Sequence, residues 1–328
     1  MSRADDFLKI LKDASTKSKF LWWPKFVYHY TDVTNVIGIL EKGKLYSRNH
    51  PENTMANENA GREIITNTDP KVLNYVRFYF RPKTPTQYRN EGFLPKEARR
   101  YHDSNVPVPV FLVFEAKDML ALDGAMFSEV ALSGEKKELT NDINRFKNFD
   151  FEKIYSDGYY NGENLTPYRR AELVVQNECD LRYLKYICCR SNGEYITLCT
   201  LLKMQGIYEK YKDIILVKEY NDGFFFKKGI YVSNVTLKQD KALITYRNTY
   251  LANEYNINVQ YILRTRNQVF KSRVVHQLDS VVSLNRSDIQ DAVLSNHNKY
   301  LFEIYIDDCL VHMSEYSAKL SEIDELPF

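Results

Sequence analysis

The sequence predicts an α+β protein whose last third is a small, sandwich-like all-β part, and three observations carry that prediction. Aromatic and β-branched strand-like runs alternate with short amphipathic helices as far as about residue 235. Beyond it, short alternating strands separated by polar breaks replace the helices. The polar residues with the most chemical potential, His29 and Glu172, stand at strand ends, where helices and loops begin.

Taken in order, Asp5, Asp6, Lys9 and Lys12 mark a short amphipathic helix, expected to be neither a signal peptide nor an anchor. Phe26 to Tyr30 reads as a strand. Thr31 or Asp32 then caps a helix whose Val33, Val36, Ile37 and Leu40 share one face, and Gly43 fits its left-handed stop. Residues 50–69 carry Asn53, Asn57, Asn59, Gly61 and Asn67 and read as a long mobile loop, expected to close as a lid. An apolar strand then runs into Pro82, a Thr-Pro turn and a short polar helix. Further strands are expected at 108–114, 173–175, 181–189 and 214–220, with helical stretches at 141–151 and 195–204. From about Thr236 the strands 242–247, 257–264, 269–278, 300–306 and 309–315 suggest a small β-sandwich. The expected division is therefore residues 1–235, 236–321 and an acidic tail at 322–328.

Composition excludes several classes. A balance of 45 Lys and Arg against 43 Asp and Glu is too even to advertise nucleic-acid binding over the whole surface, so any basic groove is local. The 14% aromatic share, with 25 tyrosines, supplies many stacking faces. Five cysteines, odd in number and irregularly spaced, fit a reducing cytoplasm and no disulfide frame. No histidine has ligand spacing to Cys188, Cys189 or Cys199, so no metal site is expected. No apolar run approaches a membrane span, and there is neither a phosphate loop nor a dinucleotide glycine fingerprint.

Three segments carry chemistry. In Tyr168-Arg169-Arg170-Ala171-Glu172-Leu173-Val174-Val175 a carboxylate stands between a basic, aromatic approach and a buried strand. A carboxylate there has either a paired partner or a task. The plainer reading is a strand-end ion pair with Arg169 or Arg170. His29 lies just before a helix N-terminus, a place that suits phosphate-bearing ligands, although on this segment alone a core-edge histidine bonded to backbone is the better reading. The third segment sets seven cations (Arg77, Arg81, Lys83, Arg89, Lys96, Arg99, Arg100) against Glu91 and Glu97. Phe78, Tyr79, Phe80, Tyr88 and Phe93 are interleaved with them, as a single-stranded nucleic acid or a dinucleotide requires.

In this order, the three segments resemble the DarT family of NAD-dependent ADP-ribosyltransferases, toxins that modify bases in nucleic acid and are held by an antitoxin. The family's His-x-Thr strand end is matched by His29-Tyr30-Thr31, and its Phe-Tyr-Phe-x-Pro-Arg-Ser-Pro-like block by Phe78-Tyr79-Phe80-Arg81-Pro82-Lys83-Thr84-Pro85. Its Ala-Glu-Phe-Leu-Val-like run is matched by Ala171-Glu172-Leu173-Val174. The match covers roughly the first two-thirds of the chain. One departure is Lys83, where the family has arginine, with Arg81 two residues earlier; lysine lacks the planar fork.

The resemblance implies a split β core of the ADP-ribosyltransferase kind, a cytoplasmic enzyme and NAD as co-substrate, with no metal. It implies Glu172 as the catalytic carboxylate, assisted by Arg81 or Lys83, and His29, Tyr30, Thr31, Tyr79 and Tyr88 around NAD. The acceptor strand would meet Arg89, Tyr159, Tyr160, Tyr168, Arg169 and Arg170. Relatives differ in acceptor: thymine or guanine in DNA, or messenger RNA for the phage-defence toxin CmdT. The expected partners are thus single-stranded RNA or DNA and a cognate antitoxin. A protein-directed transferase and a non-catalytic nucleic-acid-binding module are the rival readings.

Overall fold

Aromatic and β-branched residues build the centre of the fold, and one aspartate ends it. Strand β1 (Phe26–Asp32) runs into helix α2 (Val33–Lys42), which follows the N-terminal helix α1 (Arg3–Thr16). Asp32 closes the strand because its carboxylate caps α2 at Thr34 N (3.0 Å) and also accepts from Val108 N (3.1 Å). Gly43, at φ 70°, stops the helix in the left-handed region. The computed structural model describes residues 2–133, 138–158, 162–220, 223–238, 241–266, 268–285 and 299–318.

After β2 (Lys44–Tyr46), short helix α3 (Arg62–Thr66) interrupts the segment expected as a loop, and β3 (Tyr75–Tyr79) leads to α4 (Pro85–Asn90). Strand β4 (Pro109–Glu115) is followed by α5 (Ala116–Leu120), β5 (Met126–Ser128), α6 (Ile143–Lys147) and α7 (Phe151–Tyr155). Then come β6 (Glu172–Gln176), β7 (Glu178–Asp180), β8 (Leu184–Cys189), α8 (Asn192–Met204), α9 (Tyr208–Tyr211) and β9 (Ile215–Val217). Seven of these strands form one sheet in the order β5-β6-β3-β1-β4-β8-β9, antiparallel except for the β8–β9 pair. Its two centre strands barely touch. β1 matches β4 along its whole length, and β3 matches β6 likewise, yet β1 and β3 pair only at Tyr28↔Tyr79. Beyond that point they diverge, so the core is split.

The segment expected to be mobile is tied down by amides. Asn35 Oδ1 accepts from Ala56 N and Asn57 N (2.8 and 2.9 Å), Asn57 Nδ2 donates to Asn105 O (2.7 Å), and Asn59 Nδ2 donates to Thr31 Oγ1 (2.7 Å). Three other expected elements shorten, the strand at 214–220 to Ile215–Val217 among them. The strand at 181–189 opens with a 3-10 turn at Leu181–Tyr183, because Asp180 caps Arg182 N. The helical stretch at 141–151 breaks at Asn148 into α6 and α7.

The C-terminal part holds β10 (Tyr231–Leu237), β11 (Lys241–Arg247), α10 (Tyr250–Tyr255), β12 (Val259–Arg264), β13 (Val269–Lys271), β14 (Val281–Asn285), β15 (Lys299–Ile306) and β16 (Cys309–Ser317). Sheets β10-β11-β14 and β13-β12-β15-β16 enclose one apolar cluster that includes Val232, Ile244, Tyr246, Tyr261, Phe302 and Ile304. β10 straddles residue 235 and pairs with β11 over six positions, so the change of composition at Thr236 falls inside a strand. The run expected as one strand over 269–278 keeps only β13, and α10 and β14 have no counterpart in the expectation. The acidic tail lies outside the described residues.

The two parts meet backbone to backbone. Phe93 and Ile230 exchange both hydrogen bonds (3.0 and 2.7 Å). A Cβ on Gly92 (φ 80°) would lie 2.4 Å from Lys228 O, and one on Gly229 (φ 63°) would lie 2.7 Å from Glu91 O. Only glycine fits both the angle and the gap. Below this seam Arg190 donates to Glu194 and lies 3.5 Å from Glu91, all three side chains 0–1% exposed. Among the described residues no helix is long and apolar enough to cross a membrane, and no three His, Cys, Asp or Glu side chains cluster as metal ligands.

Candidate active site

Where β1 and β3 diverge, the chain leaves a cleft of two adjoining, open-mouthed cavities, one about twice the volume of the other (about 170 and 80 Å³). Arg77 and Asn59 line both. His29 and Thr31, two residues apart on β1, line the larger, with Asn35, Lys42 and Arg48. Glu172, Tyr79, Arg89 and Arg170 line the smaller.

The register of the sheet builds the smaller cavity. Tyr79 stands opposite Glu172 across the β3–β6 pair, and Arg77 is two residues back along β3, on the same face. Glu172 is 1% exposed, and both its oxygens accept from Arg77, Nε at 2.5 Å and Nη2 at 2.6 Å. Burial works against the Arg77 charge, but the Glu172 carboxylate outweighs it and holds the guanidinium above its ordinary pKa. The expected ion pair thus exists, with a partner from another strand in place of Arg169 or Arg170. Each carboxylate oxygen offers two lone-pair directions, so the fork leaves acceptor capacity facing the cavity. Burial, then Glu172, raises the Tyr79 phenol, which therefore stays neutral.

The larger cavity is lined by fixed polar atoms. His29 Nδ1 lies 3.1 Å from Arg77 O, a contact that opposes the burial lowering its pKa, so the ring is neutral near pH 7. Thr31 Oγ1 accepts from Asn35 and Asn59 (3.1 and 2.7 Å), which leaves its own proton for a ligand.

Other expected site residues stand elsewhere. Tyr30 packs with Phe111 and Val106 on the opposite face of β1 from His29 and Thr31. Arg81 is 2% exposed, its guanidinium 4.3 Å from the Trp23 ring, donating to Pro82 O, Ile154 O and Ser156 O. Burial, with Arg169 nearby, lowers its pKa to about 9. Lys83 adopts φ 55°, and its ammonium lies between the Phe20 and Phe226 rings. Neither cation lines the cleft. Arg169 turns back to Gly158 O, and Tyr168 packs against the core under Lys153. Tyr88 is half exposed beside Arg89, outside both cavities. Tyr159 and Tyr160 lie outside the described residues.

Sequence reasoning counted Arg77 as charge and missed it as a site residue. The signal was present in Tyr75-Val76-Arg77-Phe78-Tyr79: a lone cation inside an alternating strand, in phase with Tyr79, needs a buried partner. Asn59, also in the smaller cavity, belongs to the segment expected as a lid, whereas Asn90 and Tyr101 left no signal in sequence.

The site is thus a split sheet that sets a buried, arginine-held carboxylate beside a two-lobed cleft. Residues 28–214, more than half of the chain, match the family described as "ssDNA thymidine ADP-ribosyltransferase, DarT". The chain belongs to the DarT family of NAD-dependent ADP-ribosyltransferases. Thermus sp. 2.9 DarT in complex with ADP-ribosylated ssDNA shares the fold, with a TM-score of 0.51 at 20% identity, over 62% of this chain and 97% of that one. Two other solved structures score lower. Thermus sp. 2.9 DarT in complex with NAD+ has a TM-score of 0.49 at 20% identity, over 62% of this chain and 98% of that one. Thermosipho africanus DarTG in complex with ADP-ribose has 0.48 at 17%, over 66% and 53%. No curated protein matches the sequence.

Proposed function

We propose that the enzyme transfers ADP-ribose from NAD to a base in single-stranded nucleic acid, with DNA as the preferred acceptor. The observation that carries this reading is Glu172: a buried carboxylate, oriented at both oxygens by Arg77, on the wall of a cavity that also presents Arg89 and Arg170.

NAD would lie along the larger cavity, with His29 and Thr31 hydrogen-bonded to the ribose that carries nicotinamide. Glu172 would accept the 2′-hydroxyl of that ribose, a bond that strengthens as positive charge develops at C1′. The C1′–nicotinamide bond breaks, nicotinamide leaves with the electron pair, and a ring nitrogen of the nucleobase bonds to C1′ while its proton passes to the Glu172 carboxylate. Arg77 holds the Glu172 plane, and the buried position strengthens each of these interactions. A base in a duplex would need flipping, which a single strand avoids.

Two finer readings belong to the same proposal. The β-rich part from about residue 230 serves as an accessory unit to the transferase core. The enzyme acts as a toxin restrained by a cognate antitoxin, in a toxin–antitoxin or phage-defence setting, as family membership suggests. The test is labelled NAD incubated separately with single-stranded DNA, RNA and a protein mixture, beside Glu172→Ala. Label on DNA alone, absent with the variant, supports the proposal. Label on RNA moves the acceptor, and label only on protein overturns the nucleic-acid reading.

A further inference from the structure

Among the described residues, four buried side-chain atoms have no hydrogen-bond partner, and two of them can only accept: Asn59 Oδ1 and Asn90 Oδ1. Both residues line the cavity that holds Glu172. A folded chain leaves few such atoms unpaired, because taking one out of water is unfavourable unless a donor replaces the water. Two in one cavity therefore call for a cause.

Asn90 is firmly held. It ends α4 at 4% exposure, and its backbone oxygen accepts from Val106 N (3.1 Å). Its Nδ2 donates to Asn59 O (2.8 Å) and reaches Ser104 Oγ at 3.5 Å. A backbone carbonyl only accepts, so the amide cannot be turned end for end, and Oδ1 is left without a donor. Asn59 repeats the pattern, its Nδ2 donating to Thr31 Oγ1 (2.7 Å). Asn59 lines both cavities, so its oxygen can serve either ligand; Asn90 lines the smaller alone of the two.

Such an oxygen is satisfied by an N–H. The transfer step above passes a ring N–H proton of the nucleobase to Glu172, and in DNA only thymine N3 and guanine N1 carry one. Thymine flanks that N–H with two carbonyls, which would set oxygen against oxygen. Guanine flanks it on one side with an amine.

We infer that Asn90 is the base-reading residue and that guanine is the base it reads. Asn90 Oδ1 accepts from the exocyclic amine while N1 bonds to C1′, its proton passes to Glu172, and nicotinamide leaves with the electrons of the broken bond. Tyr101 and Ile64 line the same cavity and offer the ring apolar faces. The inference rests on the nucleic-acid reading above and names the base. The family is described for thymidine, whereas the unpaired acceptors of this chain suit a base with an amine.

The test uses labelled NAD and single strands of about 12 nucleotides, identical except for one guanine, thymine or inosine. Inosine keeps the ring N–H of guanine and lacks only the amine. Wild type is expected to favour guanine over inosine and over thymine by about 10–100-fold in kcat/KM. Asn90→Leu brings the guanine-to-inosine ratio to about one. Asn90→Asp loses the donor to Asn59 O but keeps an acceptor, so the ratio persists; a merely structural role would move both variants alike. Thermal melts verify folding, and the wild-type ratio decides by itself where Asn90→Leu does not fold. Inosine or thymine labelled as fast as guanine overturns the inference. So does a folded Asn90→Leu that keeps the ratio, or one that only raises the KM for NAD, which assigns the oxygen to nicotinamide. If wild type labels thymine instead, the base assignment alone has failed; if it labels no strand, the acceptor reading has failed.

Discussion

Glu172 and Glu194 are both almost wholly buried, and each receives a forked arginine, yet the two pairs occupy different positions. Arg77 is 31% exposed and its carboxylate faces a cavity, whereas Arg190 is sealed at 0% between Glu194 and Glu91. Burial lifts Glu194 to about 7 against the pull of Arg190, and Glu91 adds to the lift. Each pair has a neighbouring histidine lowered by burial: His29 in the cleft, and His312 behind α8 at about 3. The comparison teaches that an arginine–carboxylate pair is available to a ligand where one side remains open, and is a structural rivet where all sides are closed.

Removing the rivet should cost most. Arg190→Met leaves two buried carboxylates facing each other, and urea denaturation should show a loss of about 3–5 kcal/mol. Glu172→Gln, in contrast, should keep the melting temperature while NAD-dependent transfer falls about 10³-fold, the scale of losing one preorganised electrostatic group. Arg77→Lys keeps the charge and loses the fork, so kcat should fall about 10–100-fold with a smaller change in KM. Equal losses of stability from Arg77→Lys and Arg190→Lys would break the comparison.

The histidines sharpen it through pH. His312 sits between Thr197 and Ser314, its Nδ1 3.1 Å from Thr197 Oγ1 and its Nε2 2.9 Å from Ser314 Oγ. Its folded pKa of about 3 lies below the unfolded value of about 6.5, so the unfolded chain takes up the proton first. Stability present above pH 6.5 is therefore lost as pH falls toward 3, by about 1.4 kcal/mol per unit from this one group. Denaturation of wild type and His312→Gln at pH 7 and 5 should show the variant losing about 2 kcal/mol less over that interval, since the group titrates only below about pH 6.5. The smallest effect concerns His29. Its lowered pKa keeps the ring neutral, so NAD affinity should change by less than about twofold between pH 8 and 6.5, measured by calorimetry.

Legibility in the sequence followed the range of the interactions. α2 was readable to within two residues because its cap at Asp32, its apolar face and its Gly43 stop are all local. The split core followed from three motifs, and the structure matches it in the single Tyr28↔Tyr79 pairing. Arg77 escaped because its partner lies 95 residues away and only the β3–β6 register joins them. Arg81 and Lys83 drew attention by motif. Trp23 draws the first into the core, and a left-handed turn at the second sends it to the Phe20 and Phe226 rings. β10 was lost because Tyr231 to Leu237 crosses a change of composition that has no structural counterpart.

The facing glycines at the seam carry a warning for anyone mapping this enzyme by random mutagenesis. A single added methyl at Gly92 or Gly229 would act as a wedge, since the nearest atoms are backbone carbonyls that no side-chain rotation can clear. Such a wedge would prise Glu91 away from the 226–228 turn and loosen the short α4 helix that carries Arg89. In a screen for lost transfer, both positions would therefore score beside Glu172. Their hits would report a failed weld between two halves of the molecule, not a lost chemical group.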